Sequence, residues 1–202
     1  MPFDYYTRLS GSDQAIYRKS DRIARIELPD ARALGPAVDA VQDALAADDR
    51  GAVERAAGRL ALELMAQLEV APVTLRVLAV RPSDSSGELH GLYFAEEGEQ
   101  AVVQVWMRTA ARRQVVAPRT FLRTLLHELC HHLDYTLFGL DDSFHTEGFF
   151  QRESSLTREL LAVSGRDARK RSVRTEPQAK KRTPRRRARR PDDPQLELFP
   201  SS

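Results

Sequence analysis

The segment His127-Glu128-Leu129-Cys130-His131, with His145 a short way on, carries the residue types needed for metal-assisted hydrolysis. Residues four apart on a helix lie one above the other, so His127 and His131 turn two imidazoles toward one divalent ion. Glu128 stands beside them, in reach of a water at that ion. This is the H-E-x-x-H pattern of zinc hydrolases. Imidazoles hold the ion, one coordination position stays open, and the carboxylate takes a proton from water as it attacks a carbonyl. Four of the five histidines fall between His127 and His145, a concentration that chance rarely produces.

Such a motif works only on a rigid helix with a buried face. Pro118 and Thr120 mark the start of one, and Phe121, Leu122, Leu125, Leu126, Leu129 and Leu133 recur at helical spacing. The helix is expected to run to about Phe138 and stop at Gly139. A second helix is expected over Thr146–Val163. Upstream, Pro36 to Glu69 reads as two helices broken near Asp48–Gly51, with Val53, Ala57, Leu60, Leu64 and Leu68 as an apolar stripe of ordinary core. Val73–Val80 reads as a strand and residues 81–88 as a loop. Leu89–Ala95 and Gln100–Met107 read as two strands joined by a hairpin at Glu96-Glu97-Gly98-Glu99. The class is α+β: N-terminal helices, a small three-stranded sheet, the motif helix and one further helix. Val102–Met107 is the expected sheet edge, able to pair with an extended peptide. Residues 1–35 are aromatic and charged, with no clear secondary structure.

The run His127-Glu128-Leu129-Cys130-His131-His132-Leu133-Asp134, followed by Phe144-His145-Thr146-Glu147-Gly148-Phe149, resembles the SprT-like, Spartan-related zinc metalloproteases. That family follows H-E-x-x-H with a third histidine in an H-G-x-x-[FW] setting. Here His145 takes the histidine position and Phe149 the aromatic one. Thr146 stands in place of the glycine, and Gly148 lies two residues later. The zinc-ribbon cysteines of many members are missing. The resemblance covers about residues 90–160 and says nothing of residues 1–70; a minimal zincin-like domain is expected over 36–164. It implies that His127, His131 and His145 bind one zinc ion and that Glu128 is the general base. Asp134, on the same helical face, and Glu153, on the next helix, are alternative third ligands; imidazole suits a borderline-soft ion better. Asp134 is then an acceptor that orients a ligand imidazole, or else a solvated surface acid. His132 points about 100° away and is structural, Cys130 is a small buried residue, and His90 has no partner.

Charge divides the chain. Residues 1–164 carry 18 Lys/Arg against 24 Asp/Glu, whereas residues 165–190 carry 13 against 2. The segment 165–194 includes Lys180, Lys181, Arg182, Arg185, Arg186, Arg187, Arg189 and Arg190 and has few apolar residues. It is expected to be a disordered basic arm that binds a nucleic-acid backbone without sequence preference. After it, Gln195-Leu196-Glu197-Leu198-Phe199 resembles the Q-L-x-L-F peptide that docks on the bacterial DNA sliding clamp. That resemblance implies clamp binding by Gln195, Leu196, Leu198 and Phe199, with a rim hydrogen bond from Gln195 and with Leu198 and Phe199 filling an apolar pocket.

The single cysteine excludes an internal disulfide framework. Met1–Tyr6 does not read as a secretory signal, and no apolar run has the length of a membrane span. These features point to the cytoplasm, and the basic tail to the nucleoid. The expected function is a zinc endopeptidase acting on DNA-associated or DNA-crosslinked proteins. Two alternatives stand: a DNA- or clamp-binding adaptor with a structural metal site, and a regulatory protease that cuts a repressor.

Overall fold

The apolar stripe of residues 121–133 becomes the buried face of a 19-residue helix, α4 (Pro118–Thr136). Phe121, Leu122, Leu125, Leu126, Leu129 and Leu133 are all about fully buried. Pro118 sits in the first turn after Ala117, so Thr120 lies inside the helix rather than capping it. The helix ends two residues earlier than the periodicity suggests, and Gly139 follows at φ 54°. The structure, a computed structural model, describes residues 3–85, 87–96 and 98–165. The basic residues Lys180–Arg190 and the peptide Gln195–Phe199 lie outside the described residues.

The remaining elements are α1 (Gly11–Asp21), α2 (Gly35–Ala46), α3 (Arg50–Gln67), β1 (Thr74–Val80), β2 (Ser83–Asp84), β3 (Gly87–Glu88), β4 (Gly91–Phe94), β5 (Val102–Arg108) and α5 (Glu147–Val163). The expected break between α2 and α3 is real. Asp48 adopts φ 56°, and the Asp49 carboxylate caps α3 by accepting the Ala52 N–H at 3.0 Å. The segment read as a loop at 81–88 forms the short hairpin β2–β3, closed by the buried Arg81 guanidinium on Glu88 at 3.3 Å.

The main sheet has the order β1-β5-β4, with β1 parallel and β4 antiparallel to β5. This corrects the expected edge: Val102–Met107 is the central strand, and β4 is the edge nearest α4. The physical reason is burial on both faces. Val103, Val105 and Met107 are buried, and so is Trp106, a composition suited to the middle of a sheet. Helix α3 packs on β1, and α4 packs on β4 and β5.

Residues 3–35 are not an appended segment. They form a 3-10 turn (Asp4–Arg8), then α1 capped by Ser10, then a second 3-10 turn (Ala31–Leu34). Tyr17, Ile26 and Leu34 are buried, and α1 lies against α5. The boundary expected at residue 35 does not exist in the packed core.

Candidate metal centre

His127 and His131 project from α4 one turn apart, and His145 faces them from the link just before α5. Its Nε2 lies 3.0 Å from Nε2 of His127 and 3.1 Å from Nε2 of His131. A tetrahedral zinc ion with bonds of about 2.0–2.1 Å holds its nitrogens roughly 3.3 Å apart, close to this spacing. The surrounding bonds decide the tautomers. Nδ1 of His127 donates to Glu153 Oε2 at 3.0 Å. Nδ1 of His131 donates to Ser143 Oγ at 2.7 Å, because the Ser143 hydroxyl spends its own proton on Asp134 Oδ2, also at 2.7 Å. Both Nε2 atoms therefore present bare lone pairs to a common point. A cation at that point makes the arrangement favourable, so the donor set fits a divalent metal. Burial holds His131 down to about 3 and lowers His145, which keeps both imidazoles neutral and available.

Behind each ring stands a buried support. Burial pushes the Glu153 carboxyl up, but bonds from His127 and Arg123 outweigh it and leave Glu153 below the ordinary carboxylate range. Glu153 is thus an orienting group and not the third ligand. Asp134 is fully buried rather than a surface acid, and it reaches His131 only through Ser143. Its other partner is Arg152, also fully buried, whose Nη2 donates to both Asp134 oxygens at 2.5 and 2.7 Å. Arg152 also donates to the Ser20 and Ile23 carbonyls, at 3.2 and 3.1 Å, so α1 is tied to the same network. Neither acid joins the histidines as a fourth ligand: among the described residues the metal-competent group is His127, His131 and His145.

Position 145 is fixed from three directions. The Tyr5 hydroxyl donates to the His145 carbonyl at 2.8 Å, and the Phe150 ring stacks on the imidazole at 5.6 Å. Thr146 caps α5 by accepting the Phe149 N–H at 2.9 Å. Phe149 then forms a buried floor, its ring 4.7–5.1 Å from all three imidazoles. Gly148 is required by close approach: a Cβ there would lie 2.7 Å from the Ser20 carbonyl oxygen of α1. The two departures from the SprT-like pattern thus have local reasons: Thr146 caps α5, and Gly148 admits α1 against the start of that helix. Ser143, Tyr5 and Arg152 were not singled out from sequence, because a loop serine, a terminal tyrosine and a helix arginine carry no local pattern. Ser143→Ala is expected to weaken zinc binding about 10–100-fold, with Ser143→Thr restoring it. Competition against a calibrated chelator measures this; unchanged affinity in the alanine variant removes Ser143 from the centre.

Glu128 lies on the stripe of α4 that faces β4. It is buried, and burial pushes its carboxyl up to about 7 against the opposing influence of His127 and the Tyr93 N–H. β4 passes so close that a Cβ at Gly91 would sit 2.7 Å from Glu128 Cγ. Gly91→Ala is expected to displace the carboxylate and lower turnover on the order of tenfold or more while leaving metal content intact. A normal rate in that variant means the two groups do not need their close contact. A cleft of about 510 Å³ opens here, lined by His90, Gly91, Thr124, His127, Glu128 and Phe150.

His132 and Cys130 behave as read, whereas His90, expected to stand apart, borders the cleft. His132 is structural: Nε2 donates to the Ala71 carbonyl at 2.8 Å, and Nδ1 accepts from the Tyr93 hydroxyl at 3.3 Å. Cys130 is fully buried, and burial raises its thiol far above the ordinary range. His90 lines the cleft without joining the ligand group. No helix among the described residues is long and apolar enough to cross a membrane. Comparison with protein-family models, with characterised proteins and with solved structures finds no match to this chain.

Proposed function

We propose that this chain is a zinc-dependent endopeptidase of SprT-like type. The observation that carries the reading is the convergence of three imidazole nitrogens, two with tautomers set by Glu153 and Ser143, beside a buried carboxylate. A zinc ion bound there supplies Lewis acidity, lowering the pKa of water and polarising a carbonyl. Glu128, facing that point, accepts a proton from the attacking water and passes it to the departing amine nitrogen. The edge strand β4 supplies a place for an extended chain. Trp106 N–H donates to the His90 carbonyl, so His90 and Leu92 pair with β5 and the backbone of Gly91 and Tyr93 points away from it, with the Tyr93 N–H on Glu128. A substrate strand laid there brings its scissile bond past Glu128.

The test is direct. Purified chain is expected to hold one zinc per molecule and to cut an unfolded protein, to stop on chelation, and to resume when zinc returns. Zinc held without any cleavage favours the adaptor with a structural site. The finer proposal, action on DNA-associated proteins, rests on the basic composition of residues 165–194 and on the peptide Gln195-Leu196-Glu197-Leu198-Phe199. A tethered basic arm and clamp peptide would raise local enzyme concentration at DNA. Cleavage of a DNA-bound protein, with and without residues 165–202, tests that part separately.

A further inference from the structure

Beyond the metal cleft, on the far side of Tyr93, lies a larger cavity of about 870 Å³. Its walls include Pro72, Tyr93, Phe94, His132, Tyr135 and Thr136, and Glu96 and Glu99 stand at its mouth. Tyr93 links this cavity to the histidine centre: its ring stacks on His131 at 6.4 Å and on Tyr135 at 5.9 Å. The cavity is held open in advance, because His132 is fixed by the Ala71 carbonyl and in turn fixes the Tyr93 hydroxyl. Phe94 and Tyr135 each leave 38% of their surface exposed in this region. An extended chain laid antiparallel on β4 crosses both spaces. Its amine half lies over Gly91 and His90. The acyl half then runs along Tyr93 and Phe94, directly past the larger cavity.

We infer that this cavity is the main specificity site of the enzyme and takes a bulky apolar or aromatic side chain from the acyl half of a polypeptide. Glu96 and Glu99 favour a lysine or arginine beside that side chain. The inference rests on the endopeptidase reading. Its occupant is a substrate chain because Tyr93, which lines the cavity, stacks on the ring of His131, and because Glu96 and Glu99 among its lining residues are acidic. The two sides of the scissile bond therefore meet unlike surfaces: an aromatic pocket on one side, and threonine and histidine groups on the other.

Full-length zinc-loaded protein is given a mixture of unfolded proteins, and the new chain ends are sequenced. Among the three residues on the acyl side of each cut, large apolar or aromatic residues are expected to be enriched about tenfold. A neighbouring basic residue is expected to add roughly threefold. Thr136→Trp, on an exposed position of α4, fills the cavity and is expected to erase the aromatic preference. Glu96→Lys with Glu99→Lys is expected to exchange the basic preference for an acidic one. In parallel, zinc-loaded Glu128→Gln is titrated with a dye-labelled peptide carrying a phenylalanine and an arginine, and Thr136→Trp in that background is expected to weaken binding about tenfold. A flat acyl-side profile, or a profile and peptide affinity unchanged by Thr136→Trp, overturns the inference. A wild-type chain that cuts nothing overturns the endopeptidase reading instead, and the binding titration still decides the cavity.

Discussion

Replacing Glu128 by Gln is expected to leave one zinc per chain while peptide hydrolysis falls about 10²–10⁴-fold. The amide has the shape of the carboxylate, and its oxygen still accepts the Tyr93 N–H that the acid now holds. The three imidazoles are untouched, so the ion stays. What disappears is the ability to receive a proton from water at one moment and release it to an amine nitrogen at the next. Metal analysis and single-turnover cleavage of an unfolded substrate, run on one preparation, read both halves of the expectation. Cleavage at the wild-type rate would show that another group moves the proton.

Arg152→Met is expected to cost about 3–5 kcal/mol of stability, because it leaves the Asp134 carboxylate buried without its counter-charge. For a chain of this size the melting temperature should fall on the order of 10 °C or more. A second effect should accompany the first. Asp134 loses its anchor, Ser143 loses a firm acceptor, and His131 loses the partner that holds its tautomer, so zinc affinity falls as well. Pairing Arg152→Met with Asp134→Leu removes the stranded charge and should recover much of the stability without recovering the zinc affinity. Thermal melting and chelator competition on both variants separate the two roles. A single variant that melts and binds zinc like the parent would remove the buried pair from the account.

Much of this organisation is readable in the sequence, and the unread parts share a physical reason. Helix α4 announces itself through leucines at helical spacing, and the placement of His127, His131 and Glu128 follows from that periodicity. The break at Asp48–Gly51 and the strand at Thr74–Val80 are equally local signals. Helix α1 is not, because it packs through Ser20 and through backbone carbonyls rather than through an apolar stripe; of its residues only Tyr17 and Ser20 are buried. The sheet edge was misplaced because chain order does not give spatial order: β1 pairs with β5 across the intervening β2–β4. The large apolar Trp106 on the face opposite Val103, Val105 and Met107 was the signal for a central position. Glu153 was visible as a carboxylate on the right helix, but its choice between binding an ion and holding His127 depends on where α5 crosses α4. Ser143 had no signature at all, since its role depends on three-dimensional proximity to Asp134 and His131.

The contribution of the first helix changes what counts as the smallest working unit. A fragment beginning at residue 36 would retain every residue of the H-E-x-x-H run and His145. It would also withdraw the Tyr5 hydroxyl and two main-chain acceptors for a sealed-in guanidinium. Truncation designed around the recognisable motif would therefore yield a protein that keeps its signature and loses its scaffold.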